Sequence, residues 1–279
     1  MKIYTPRTLS LNHKTKTISL SDVWVSSNDK LSDFYASSWQ RGDSPVPLLV
    51  VRLLLAALAL AVLSWTLVEG GNEYWPLFLT NWGLVLINAM LLSGILVSIV
   101  ALFNPSYETS QLPWYVSMYW FFFNIAISTS FLITALYWIL LYNPGKNPDP
   151  EDPLFWLDVA THGLNSCIAL AEVVASRTPV RALHFYQPLS VGLWYAAFTA
   201  IYFAAGGTDG NGNPYIYPVL DWRFGWRTTA LVACSCAGLL VIYAALWGVA
   251  LCRDKISMTI RTVSLDLPMV PDSMQARIV

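Results

Sequence analysis

Six stretches of about 20 or more mainly apolar residues follow one another along the chain, and they decide what it can fold into. An α-helix rises about 1.5 Å per residue, so about 20 residues cross a hydrocarbon core of roughly 30 Å. The stretches cover residues 46–68, 75–103, 114–142, 154–176, 183–205 and 228–251. Proline and glycine punctuate them: Pro47 and Pro76 stand in first turns, and Gly70-Gly71, Asn104-Pro105, Asn143-Pro144-Gly145 and Gly206-Gly207 follow last turns. In lipid every backbone N–H and C=O needs an internal partner, which a helix supplies within one segment. The expected fold is therefore all-α, a polytopic transmembrane bundle with six spans and polar tails. Residues 1–45 form a polar cytosolic segment, 46–252 the six-span domain and 253–279 a cytosolic tail.

Composition agrees. Apolar residues make up 56% of the 279, charged residues 12%, and the mean hydropathy is +0.50. Soluble domains carry about 25% charged residues. A disordered chain, a coiled coil and a nucleic-acid binder are excluded together, the last also by a net charge of −1. The 13 Trp and 14 Tyr suit side chains at a membrane–water boundary. Cys167, Cys234, Cys236 and Cys252 lie in or beside apolar runs, as reduced thiols do. Twelve of the 16 Lys and Arg residues fall in the two tails and the connections that share their side, so both termini are expected in the cytosol. The membrane is the plasma membrane or the endoplasmic reticulum.

Ionisable groups at bilayer depth cost about 2.5–3.5 kcal/mol on insertion scales, so each needs a partner or a task. The fourth span concentrates them. Asp158, His162, Asn165 and Glu172 stand at i, i+4, i+7 and i+14, within about 80° of one another on a helix of 100° per residue. Asp158 lies one turn from His162, where it would orient the imidazole and raise its basicity. A polar cluster that only glues helices together would have the same pattern. Thr80 is the nucleophile candidate: it and His162 enter the membrane from the non-cytosolic side at similar depth. A threonine hydroxyl bonded back to the carbonyl of Pro76 is the structural alternative. The connection 206–226 reads as a lid on that same side, with Asp221 a second acid able to approach His162 or simply a helix cap. Asn81 and Asn165 offer amides for an oxyanion. The sequence contains no metal, nucleotide or haem motif, and no cofactor is expected.

Several motifs carry a family resemblance: Trp39-Gln40-Arg41, Phe78-Leu79-Thr80-Asn81-Trp82-Gly83, Tyr137-Trp138, Thr161-His162-Gly163-Leu164-Asn165-Ser166, Ser176-Arg177-Thr178-Pro179-Val180-Arg181 and residues 215–222. From about residue 34 to 252 the chain resembles the rolling stone family, named for an insect membrane protein implicated in myoblast fusion. That family is similar, more distantly, to the androgen-induced membrane proteins, six-span hydrolases of fatty acid esters of hydroxy fatty acids. The resemblance implies a Thr/His hydrolase of lipid esters, with the family threonine falling on Thr80 and the histidine on His162. Membrane lipids and a fatty acid ester are then the expected partners. The Asn81-Trp82-Gly83 continuation departs from the hydrolase pattern. The alternative is a non-catalytic membrane protein acting in cell adhesion or myoblast-type fusion.

Overall fold

The computed structural model describes residues 30–104, 112–143 and 151–263. Six long helices account for most of them, and no strand occurs among the described residues. They are α1 (Val46–Gly70), α2 (Leu79–Phe103), α3 (Trp114–Leu141), α4 (Pro153–Ala175), α5 (Tyr186–Ala204) and α6 (Gly225–Val263). Prolines open several of them, at positions whose N–H has no intrahelical partner. Pro153 begins α4, and the Asp152 side chain accepts the Leu154 N–H at 2.8 Å.

Five helices are long and apolar enough to cross a membrane: α1, α2, α3, α4, and α6 counted from Trp222 to Arg261. This is an integral membrane protein. The fifth apolar stretch does form a helix, the 19-residue α5, packed against α3 and α6. It falls outside that set because it opens on Tyr186-Gln187-Pro188 and carries three Tyr and one Trp, which weigh down a hydropathy average. Gln187 is buried all the same, accepting from the Asn124 amide of α3 at 3.0 Å.

Helix α3 is the central post, touching α2, α4, α5 and α6. Its Tyr119, Trp120 and Phe123 are wholly buried and meet Phe34, Ile87, Met90 and Ile168 in one apolar core. Ser128 and Ser130 keep their hydroxyls out of lipid by donating to the carbonyls of Asn124 and Ala126.

Two sequence expectations change at the end of the bundle that carries both termini. Residues 30–45 are not a free polar tail. Phe34, Ala36 and Ser38 are buried, Ser38 N–H donates to Ala175 O at 2.9 Å, and Arg177 donates to the carbonyls of Ser37, Gln40 and Gly42. Nor does α6 stop at Leu251. Charges mark where a helix leaves lipid, but only a backbone breaker ends it, and none occurs before Val263. Arg253 lies buried there, donating to Val173 O at 2.6 Å and to Thr178 O at 3.2 Å.

Candidate active site

Helix α2 begins later than its apolar run. Trp75–Leu77 make one tight turn, Phe78 is extended (φ −84°, ψ 129°), and the helix proper starts at Leu79. Thr80 therefore sits in the first turn, where backbone N–H groups have no partner within the helix. Its hydroxyl does not bond back to Pro76, whose carbonyl instead takes the Trp82 indole N–H at 2.7 Å.

Helix α4 is interrupted by a π-turn over Ala160–Leu164, an i→i+5 bulge of the kind that often marks functional positions. His162 lies in that turn, and its Nε2 stands 3.2 Å from Thr80 Oγ1. Nδ1 lies 2.9 Å from the backbone carbonyl of Asp158 and 3.0 Å from Thr161 Oγ1. A carbonyl can only accept, so the proton sits on Nδ1 and the lone pair of Nε2 faces the threonine hydroxyl. The Tyr137 ring stacks flat on the imidazole, with centroids 3.5 Å apart and planes 5° from parallel. A hydroxyl, a proton acceptor and a fixed tautomer are thus held together by α2, α3 and α4.

The remaining sequence candidates are placed differently. The Asp158 carboxylate does not hold the ring: Oδ1 is 3.8 Å from Nδ1, while Oδ2 accepts the Tyr137 hydroxyl at 2.9 Å. The main chain of Asp158, not its side chain, orients His162. Asn81 is at the site, with its amide donating to Trp75 O at 2.6 Å. Asn165 is turned away and donates to Thr161 O at 3.2 Å, because the π-turn's extra residue breaks the even stripe that a regular helix would present. Asp221 is a helix cap, bonded to the Arg223 N–H and paired with its guanidinium at 2.7 Å. That pairing holds its carboxyl below the usual range.

Two cavities meet at Thr80. The larger, about 720 Å³, is lined by Asn81, Asp158, Thr161, His162 and residues of the 206–221 connection, including Asp209, Gly210 and Tyr217. The smaller, about 110 Å³, is apolar and runs between α3, α5 and α6 past Leu132, Leu136, Ala196, Leu231 and Leu239. Thr80, Tyr137, Leu141 and Tyr217 line both. The connection is ordered where it walls the larger cavity. Asp209 accepts from the N–H groups of Asn211 and Asn213 and from the Asn213 amide, and Gly212 takes the left-handed φ of +81° that closes this turn. The Asn213 side chain and these N–H groups hold the Asp209 carboxyl below its ordinary value.

Sequence reading missed Tyr137 and Tyr217. Both fall inside motifs that carry the family resemblance, yet no spacing rule joins a residue near the end of α3, or one in a loop, to Thr80.

Among the described residues, no group of three or more His, Cys, Asp or Glu gathers closely enough to hold a metal ion. A family model described as protein rolling stone matches residues 16–234. Protein rolling stone of Drosophila melanogaster is 30% identical over 200 residues, which cover 68% of this chain and 72% of the fly protein. The chain belongs to the rolling stone family. No solved structure matches it. The region shared with the rolling stone model runs from the N-terminal segment into the first turns of α6, and so contains Thr80, Tyr137, His162 and Tyr217.

Proposed function

We propose that this rolling stone protein is an intramembrane hydrolase of lipid esters, with Thr80 as nucleophile and His162 as general base and acid. The observation that carries the reading is the 3.2 Å approach of Thr80 Oγ1 to an imidazole nitrogen whose tautomer is set for accepting, at the junction of a polar and an apolar cavity. A threonine hydroxyl is almost fully protonated near neutral pH, so an adjacent base is the part its chemistry needs.

Thr80 Oγ1 attacks the ester carbonyl as its proton passes to His162 Nε2. The tetrahedral intermediate collapses and expels the alkoxide, which takes that proton and leaves as an alcohol. Water then attacks the acyl–Thr80 ester, giving its proton to Nε2. Collapse releases the fatty acid, and the proton returns to Thr80 Oγ1. The Asp158 carbonyl, by accepting from Nδ1, stabilises the transient imidazolium in the part a carboxylate plays in a triad. The acyl chain lies in the apolar crevice beneath Thr80, and water arrives through the larger cavity. With the termini in the cytosol, as the Lys and Arg distribution favours, that cavity opens on the opposite face of the membrane.

The test uses the purified chain in detergent, a fluorophosphonate probe and a branched fatty acid ester. Thr80→Ala should abolish labelling, and His162→Ala should slow turnover at least about 100-fold, the lower range of a general-base contribution. Folded variants that label and turn over like the unchanged chain would contradict the reading and favour a non-catalytic role in adhesion or fusion.

A further inference from the structure

The hydrolase reading leaves the developing oxyanion without an assigned donor, and the two amides that the sequence offers are poorly placed. Asn165 is turned toward Thr161 O, and Asn81 donates to Trp75 O. A different group stands beside Thr80. The Tyr217 hydroxyl accepts the Leu79 N–H, one residue before Thr80, at 2.9 Å, and Tyr217 and Thr80 together line the junction of the two cavities. We infer that Tyr217 is a catalytic residue, donating its phenolic hydrogen to the substrate's carbonyl oxygen as negative charge builds there. This rests on the proposed hydrolysis and adds to it the group that stabilises the transition state.

The bonding pattern gives the direction of the proton. The phenol oxygen is already occupied by an N–H donor at the start of α2, so its own hydrogen must point to an acceptor. A carbonyl oxygen presented to Thr80 at the cavity junction is such an acceptor. The chain Thr80 to His162 to the Asp158 carbonyl then runs one way, each donor feeding the next acceptor. When Thr80 Oγ1 attacks, the oxyanion develops on the former carbonyl oxygen, two bonds from Oγ1. The phenolic hydrogen, not used in the Leu79 contact, then donates to that oxygen.

Four features suit Tyr217 to this part. It lines both cavities at their junction, so it meets a carbonyl presented to Thr80 from either side. Its ring is braced edge-on by Phe78 at 5.6 Å, so the hydroxyl is held rather than swung in by a mobile loop. The α2 N-terminus behind it carries partial positive charge, which favours a negative oxygen nearby. Burial raises its pKa above the ordinary tyrosine value, which keeps it a neutral donor and not a competing base.

The experiment compares Tyr217→Phe with the unchanged chain on the same ester. Phenylalanine keeps the ring against Phe78 and removes only the hydroxyl. The expected loss is about 100- to 1,000-fold in kcat with KM changed by no more than about two-fold, as for removal of one oxyanion donor. A trifluoromethyl ketone of the ester's acyl chain, which forms an oxyanion adduct on the nucleophile, should bind at least about 100-fold more weakly to the variant. The matching secondary alcohol, which forms none, should bind equally to both. A kcat within about three-fold of the unchanged chain, or equal weakening of ketone and alcohol, overturns the role of Tyr217 while leaving the hydrolase reading intact. An unchanged chain that neither labels nor turns over overturns both.

Discussion

Helix α4 carries ionisable side chains toward both ends of the bundle, and the two ends treat them differently. Near the end with the termini, Glu172 meets Arg52 of α1 at 2.8 Å, and both side chains are 0% exposed. The guanidinium also donates to Phe34 O, Gly94 O, Ser98 Oγ and the Tyr119 hydroxyl, and that hydroxyl donates in turn to Glu172. This pair joins four helices to the N-terminal segment, and neither residue lines the two cavities that meet at Thr80. At the other end His162 is bonded to Thr80 and to its own helix, yet it faces a space of about 720 Å³. One polar centre is fully buried and bonded through Glu172 Oε1 to Arg52 and Tyr119, as a fastening is, while Oε2 has no hydrogen-bond partner among the described residues. The other keeps one side open, which binding and chemistry require. Chemical type alone did not separate them; the difference lies in what surrounds each.

The largest expected effect lies at the closed end. Arg52→Met or Glu172→Gln leaves a buried group without its counterpart and should cost about 3–5 kcal/mol of stability, read as a fall in the detergent melting temperature. A combined Arg52→Met, Glu172→Met chain should recover much of that loss. If either single change left melting unaltered, the fastening role would be wrong. Next is the open end, where His162→Ala should lower turnover at least about 100-fold, equivalent to about 2.7 kcal/mol in the barrier, while melting stays close to that of the unchanged chain. A large melting shift without loss of turnover would make His162 a fastening too.

A smaller effect is expected at Gly94. A methyl group there would stand about 3.0 Å from Arg52 Nε and 2.9 Å from the Tyr119 ring, so Gly94→Ala should cost about 1–3 kcal/mol by crowding the guanidinium, again read by melting. The mildest concerns the connection over the open end. Asp209 has a depressed pKa, so its hydrogen bonds stabilise the turn above the ordinary carboxylate value and are lost as pH falls through the lower folded value. Hydrogen exchange at Asn211 and Asn213 should remain protected at about pH 4 and lose protection on further acidification. Asp209→Ala should remove that protection at neutral pH.

The two ends were also unequally legible. The helices followed from apolar length and proline placement, with α5 recovered although Gln187 and its tyrosines lower its hydropathy. Thr80 and His162 could be paired in advance because depth from a helix start is countable at 1.5 Å per residue. The Arg52–Glu172 pair was open to the same count: each lies within two turns of the terminal end, with opposite charge, although the sequence reading did not join them. What could not be read depends on backbone irregularity and on contacts between distant segments. Nothing in Ala160–Leu164 announces a π-turn, so neither the rotation of Asn165 nor the use of the Asp158 carbonyl in place of its carboxylate was accessible. Tyr217 reaches Leu79 across 138 positions of chain, and the burial of Phe34 needed the space between α1, α2 and α3 to be known.

The most direct test of the central claim is to locate the covalent adduct. After fluorophosphonate treatment and proteolysis, mass spectrometry should find the phosphonyl group on the peptide containing Thr80, at Thr80 itself, and its formation should be strongly slowed in His162→Ala. A modification mapped to another hydroxyl, or ester turnover that persists in Thr80→Ala, would contradict the account.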